Sequence, residues 1–215
     1  MSAPEHAGSR LRERRIRKFV QLIERFDLVS IVEIADWCAS KPGSVRRDET
    51  DRQQARDDLA RYESLMEKVK LGRHAYFADS TAARIAHGEM LAWIAFADGD
   101  SPAALKHMRE AADLQDKVGQ GEVDIPAREM LADVLLELGQ PQAALVEYEG
   151  ALKLSPNRFN GLFNAGMAAE AAGDKAKAGS YYAALLESTD NGSHSARPEF
   201  KHIKDFLASA ALTAN

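Results

Sequence analysis

Glu129 and Asp133 stand four residues apart in "IPAREMLADVLLELG", a spacing that sets both carboxylates on one face of a helix. Such a pair could share a proton as an acid/base couple, but nothing nearby supplies a nucleophile or positions a water, so it reads as the wall of a binding surface. His107, Glu110 and Asp113 have helical metal-ligand spacing, yet they fall on an outward helix face and read as solvated. The other histidines are scattered, with no His-Glu-x-x-His, and the single cysteine, Cys38, has no partner for an internal disulfide. "VGQGEV" lacks the preceding strand and the third glycine of a phosphate-cradling loop. "NGS" at Asn191 matches a glycosylation acceptor with no secretory signal ahead of it. The expectation is a non-enzyme with no cofactor and no metal.

Those side chains must be carried by helices. Ala, Leu, Glu, Lys, Arg and Gln dominate, and β-branched residues thin out after Val69. The one strand candidate, "VKLGRHAYF" from Val69 to Phe77, reads better as a helix end at Lys70, a Gly72 cap and a new helix. The 215 residues are 45% hydrophobic, ample for a core. The net charge of −5 is uneven: residues 1–47 hold 10 Lys+Arg against 6 Asp+Glu, whereas residues 80–215 hold 12 against 19. No apolar run approaches the roughly 18 residues of a membrane span. Glu24, Arg25, Asp27, Glu33 and Asp36 break the one stretch that could resemble a signal peptide. A cytoplasmic protein without membrane contact is expected.

A repeat organises the acidic part. In "IPAREMLADVLLELGQPQAALVEYEGALKLSPNR", Leu131, Ala132, Leu135, Gly139, Ala144, Tyr148, Ala151 and Pro156 occupy positions 7, 8, 11, 15, 20, 24, 27 and 32 of a unit. The next stretch repeats the series with Ala165, Gly166, Ala169, Gly173, Ala178, Tyr182 and Leu185. A third unit upstream places Leu91, Ala92, Ala95, Gly99, Ala104, Met108 and Ala111 in the same register. This 34-residue pattern resembles the tetratricopeptide repeat family. The resemblance implies an all-α, right-handed solenoid of antiparallel helix pairs, A and B, with small residues at the close contacts and an aromatic between helices. Three units are placed at 85–118, 125–158 and 159–192, within a repeat region spanning 81–192. In the turns "DGDS", "LGQP" and "AGDK", glycine should supply the left-handed conformation that ends each helix A. Stacked pairs need ends with one polar face. "RPEFKHIKDFLASAAL", in a C-terminal segment 193–215, should cap one end through Phe200, Ile203, Phe206 and Leu207. A degenerate helix over Arg52 to Val69, with a linker filling 49–80, should cap the other through Ala55, Leu59, Tyr62, Leu65, Met66 and Val69.

The resemblance further implies that positions 2, 5, 9 and 12 of each helix A line a concave groove. Here they are Ala86, Glu89, Trp93 and Phe96, then Pro126, Glu129, Asp133 and Leu136, then Asn160, Phe163, Met167 and Glu170. Relatives that clamp a chaperone's terminal carboxylate use basic residues there, and this set has none. An acidic groove with aromatic anchors instead suits a protein or peptide carrying basic and apolar residues.

Residues 1–48 form a basic region with its own pattern. Ile16, Phe19, Val20, Ile23 and Phe26 make an amphipathic stripe, and "ASKPGSVRRDE" offers Ser40 as a helix cap with Pro42 in the first turn. Val29, Ser30, Glu33, Ile34 and Ala35, followed by Ser44, Val45, Arg46, Arg47 and Asp48, resemble the helix-turn-helix of the DeoR family of bacterial repressors. That resemblance implies Lys41, Ser44 and Arg47 toward a DNA groove and either Arg46 or the Arg10 to Lys18 cluster toward phosphate. It covers about 35 residues and then departs: "ETDRQQARDD" replaces the leucines and Gly-rich wing of that family. The reading adopted is a non-catalytic protein-interaction scaffold. The alternative is a DNA-binding transcriptional regulator whose repeats sense a partner or dimerise, which leaves a homo-oligomer open.

Overall fold

The structure, a computed structural model, describes residues 49–71, 75–119, 125–192 and 197–213. It divides into two compact units, 1–83 and 84–215. All regular structure among the described residues is helical, as the composition requires.

In the first unit, α1 (Glu49–Lys70) packs against the single turn α2 (Ala75–Ala78), and the first residues of α3 (Thr81–Ala97) follow. The α1 stripe buries Ala55, Tyr62, Leu65 and Met66, with Leu59 and Val69 half-buried. Tyr62 donates its hydroxyl to the carbonyl of Ala83 at 3.0 Å, and its burial pushes the phenol up to about 12. Ser80 caps α3 by accepting the amide of Ala83 at 3.1 Å. The stretch from Val69 to Phe77 contributes a helix end at Lys70 and the α2 turn, with no strand among its described residues.

The second unit continues through α4 (Ser101–Val118), α5 (Ala127–Glu137), α6 (Pro141–Leu154), α7 (Phe159–Ala171), α8 (Lys175–Ser188), a 3₁₀ turn (Asp190–Gly192) and α9 (Pro198–Thr213). Each of these α-helices from α5 onward packs chiefly on its sequence neighbours, and α5 also touches α7, two steps on. This is the packing of stacked helix pairs.

Three turns are built alike. Gly99, Gly139 and Gly173 have φ of 85°, 70° and 81°, the left-handed region that glycine enters without steric cost. In each, the following residue donates its amide five residues back: Asp100 to Ala95, Gln140 to Leu135 and Asp174 to Ala169, at 2.8–2.9 Å. The glycine amide reaches three residues back, completing a Schellman motif. The residue that ends one helix then starts the next, for Asp100 and Asp174 accept the amides of Ala103 and Lys177 at 3.1 and 3.0 Å. Gln140 makes no such side-chain bond, and Pro141 in the first turn takes over by fixing φ.

Small residues set the spacing between helices. Ala92, Ala132, Ala104, Ala144 and Ala178 are fully enclosed. At Gly166 a Cβ would fall 2.3 Å from Cε1 of Tyr182, so the tyrosine ring lies where any side chain would stand. The start of α5 is capped from the preceding unit: Gln115 on α4 accepts the amide of Ala127 at 2.8 Å in a buried setting. At the far end α9 packs on α8, burying Phe200 and Ile203 with Phe206 and Leu207 half-buried, while Lys201, Lys204 and Asp205 face water.

Candidate functional site

The helix-A positions expected to line a groove fall on α3, α5 and α7. Successive units meet through small polar clusters built on those helices. On α5, Asp133 accepts the hydroxyl of Tyr148, from α6, and the side-chain amide of Asn164, from α7, the latter at 3.2 Å. On α7, Glu170 accepts the hydroxyl of Tyr182, from α8, at 3.0 Å, and its Oε2 lies 3.0 Å from Nε2 of His202 on α9. The same histidine nitrogen is 3.2 Å from the tyrosine oxygen. Asn164 and His202 hold equivalent places, six residues into a unit, if α9 is counted as the first helix of a further pair. Each cluster therefore joins an acid on helix A, the tyrosine on helix B and a polar side chain from the next helix A.

Burial explains why these groups pair. Tyr148 and Tyr182 are both 0% exposed, so an unbonded hydroxyl would cost about 1–3 kcal/mol. Desolvation and the neighbouring carboxylates raise both phenols above their ordinary value. Desolvation also pushes Asp133 up to about 7, opposed by the bonds from Tyr148 and Asn164 and reinforced by the nearby charges of Glu129 and Glu137. Rings pack around the second cluster: Phe163 lies 6.0 Å from His202 and Phe206 lies 5.2 Å from Tyr182, both edge to face.

The junction between the first two units lacks this chemistry. Its equivalent positions are Trp93, Met108 and Met130, all buried. With no carboxylate at that point, the indole Nε1 of Trp93 has no hydrogen-bond partner. One turn before it on the same face, Glu89 has its carboxyl desolvated and pushed up to about 8, with no opposing charge acting on it.

The expected groove residues therefore differ in their availability. Glu89, Phe96, Asp133, Leu136, Phe163, Met167 and Glu170 are half-buried, and Asn160 is exposed. Trp93, at 4% exposed, packs its ring edge to face with Phe96 at 6.1 Å rather than standing open. Glu129, at 2% exposed, is an internal charge: Arg158, the residue before α7, closes on it with Nε 2.9 Å from its Oε2. Pro126 is likewise buried. Glu129 and Asp133 do lie side by side, as their spacing requires, each already engaged with other side chains. Of the metal-like trio, His107 is half-buried on α4, Glu110 is exposed, and Asp113 pairs with Arg128 at 3.2 Å. Arg128 also binds Asp116 and Glu147, tying α4, α5 and α6 together. Among the described residues no group of three or more His, Cys, Asp or Glu is arranged to hold a metal, and no helix is long and apolar enough to cross a membrane.

Lys41, Ser44, Arg46 and Arg47 lie outside the described residues, as does Cys38. Reading the sequence missed Arg158, Asn164 and His202 as partners of the acids. The signal available for the clusters was a tyrosine at position 24 of two units, whose buried hydroxyl requires an acceptor. For Arg158 there was none, because its partner lies 29 residues back.

Stacked helix pairs sealed by such junctions define a helical-repeat fold. The family comparison agrees with the packing: residues 129–194 match the tetratricopeptide repeat. Such repeats are generally non-enzymatic protein-interaction modules. No curated protein matches the chain.

Proposed function

We propose that the second unit binds a protein segment carrying basic and apolar side chains, laid across the helix-A faces of α3, α5 and α7. One observation carries the reading: each of the three helices sets one half-buried acid and at least one half-buried apolar side chain among its groove positions, although the acid falls at a different position in each. Glu89 and Phe96, Asp133 and Leu136, and Glu170 with Phe163 and Met167 each offer an acid beside an apolar contact. Acids at this density steer a basic segment and set its register, while the apolar side chains slow its release. Glu129 supports the wall from within through Arg158, and Trp93 does so by packing on Phe96.

A fluorescein-labelled hexapeptide of alternating arginine and leucine tests this by anisotropy. Binding should weaken as salt rises, and Leu136→Lys and Met167→Lys should each weaken it at least tenfold with little change in the melting curve. These two positions lie outside the junction clusters, so equal binding by both variants would remove the groove assignment.

A further inference from the structure

Within the second unit, α5 and α7 present one continuous surface. Oε2 of Glu129 lies 3.5 Å from a Cβ built at Gly161, and Asp133 accepts the side-chain amide of Asn164 at 3.2 Å. Contacts therefore advance along both helices together, and the two run in the same direction. One turn past the second contact, Leu136 and Glu137 on α5 stand beside Met167 on α7. Leu136 and Met167 are half-buried and Glu137 is exposed. Glu137 is badly placed for the fold itself. It is the last residue of α5, where the helix dipole disfavours a carboxylate, and its charge adds to that of Asp133 one turn back. It has no hydrogen bond or ion pair among the described residues. A cation supplied from outside would offset both effects, and apolar side chains flanking that cation would cover Leu136 and Met167.

This chain carries a segment of that kind. In "RLRERRIRKFVQLIERF", residues 10–26, the first nine positions hold six basic residues against one acid, interleaved and followed by Leu11, Ile16, Phe19 and Val20. No other stretch of the sequence joins such a density of basic residues to bulky apolar ones. The segment belongs to the first compact unit and the α5–α7 surface to the second.

We propose that residues 10–26 of a second copy occupy the α5–α7 surface, so that two copies exchange these segments. This rests on the groove reading above and names its ligand. Each copy offers one segment and one surface, so a reciprocal pair is self-complementary and closes at two. Arginines beside Ile16 and Phe19 meet Glu137 and the field of Asp133, while the apolar side chains cover Leu136 and Met167. The charge distribution favours exchange: residues 1–47 hold 10 basic against 6 acidic residues and residues 80–215 hold 12 against 19, so like parts of two copies repel and unlike parts attract. A foreign partner must displace the segment, which makes the pair a closed form of the groove.

Sedimentation velocity of the full chain at about pH 8.5, where Asp133, pushed up to about 7, is ionised, reads the pairing. The parent should dimerise with an affinity that falls as salt rises. Arg14→Glu with Arg17→Glu and Lys18→Glu should weaken the dimer at least tenfold, and so should Glu137→Lys with Met167→Lys, each at parental helicity by circular dichroism. Mixing the two variants separates exchange from any other interface: one keeps a good surface and the other a good segment, so the mixture should form a heterodimer through a single contact. A synthetic peptide of residues 10–26 should split the parental dimer, and the same peptide with its basic residues replaced by glutamate should not. Peptide competition uses the parent alone and needs no variant to fold. A parent that stays monomeric, a dimer that either variant leaves intact, or a mixture no more associated than its components overturns the exchange. If the parent is monomeric yet binds the arginine-leucine hexapeptide with dependence on Met167, the groove stands and the exchange falls. If the hexapeptide binds neither the parent nor the segment variant, whose surface is vacant, the groove itself falls.

Discussion

Gly166→Ala should be among the most damaging single-methyl additions in this chain. The new Cβ would sit 2.3, 2.7 and 2.8 Å from Cε1, Cδ1 and Cζ of Tyr182, well inside any tolerated contact. A free side chain could swing aside, but this ring is 0% exposed, and its hydroxyl is held by Glu170 and faces His202. Overpacking of this kind costs about 1–3 kcal/mol. Displacing the ring loses its hydroxyl bond as well, worth about 1 kcal/mol. Against this stands the better helix propensity of alanine in mid-helix, about 1 kcal/mol. The net is a loss of about 1–3 kcal/mol. Gly179→Ala is the matched control: it is also helical, and its nearest atom is Leu207 Cδ2 at 3.8 Å, an ordinary contact. It should gain about 0.5–1 kcal/mol through propensity and lower unfolded-state entropy. Urea melts followed by far-ultraviolet circular dichroism, with both variants beside the parent, read the difference. If Gly166→Ala unfolds at the parent's urea concentration, the tyrosine does not hold the place assigned to it and the cluster argument fails.

Arg158→Ala strands the Glu129 carboxylate, whose environment already raises its titration point, so the loss should approach about 2 kcal/mol at pH 8 and shrink toward pH 5 as the acid protonates. That figure sits below the usual buried-pair cost because Arg158 is 28% exposed, and urea melts at the two pH values check it. Asp133 binds its proton more tightly folded than unfolded, so its contribution favours folding below the unfolded value and is lost as pH rises through about 7. Asp133→Asn should therefore flatten part of the decline in melting temperature between pH 5 and pH 8; parallel profiles would contradict the assignment. Gly139→Ala places a Cβ at φ 70° and should cost about 1–2 kcal/mol by urea melt, although nothing crowds the site.

How far the fold could be read depended on whether its causes were local. Gly99, Gly139 and Gly173 end helices by a backbone conformation that one residue type supplies, so their recurrence in the sequence marks the turns directly. The small residues packed between helices recur for the same reason. The site was less legible because carboxylates spaced along a helix look alike until their partners are known. Glu129 reads as an exposed wall, but it is enclosed by Arg158 from the far end of its own unit. Trp93 reads as an open anchor, but the first junction is apolar and draws it inward with Met108 and Met130. His202 seemed an isolated histidine because its two partners stand 20 and 32 residues away.

The junction clusters also bear on specificity. A scaffold whose units are sealed by Asp133 and Glu170 spends those carboxylates on its own tyrosines, so a ligand that took them would loosen the stack it binds. Such a ligand would compete with bonds worth about 1 kcal/mol each and would be opposed by the desolvation of two buried phenols. Recognition that leaves the stack intact must then fall where a carboxyl has no internal duty. At the first junction an indole and two thioethers replace the acid, tyrosine and polar side chain, so sealing there needs no carboxylate and Glu89 is left over. Moving the acid into that junction tests the rule: Trp93→Glu with Met108→Tyr should rebuild a polar pair at the register of Asp133 and Tyr148, and a variant that loses its helicity would show that the seal also needs a polar third member where Met130 stands.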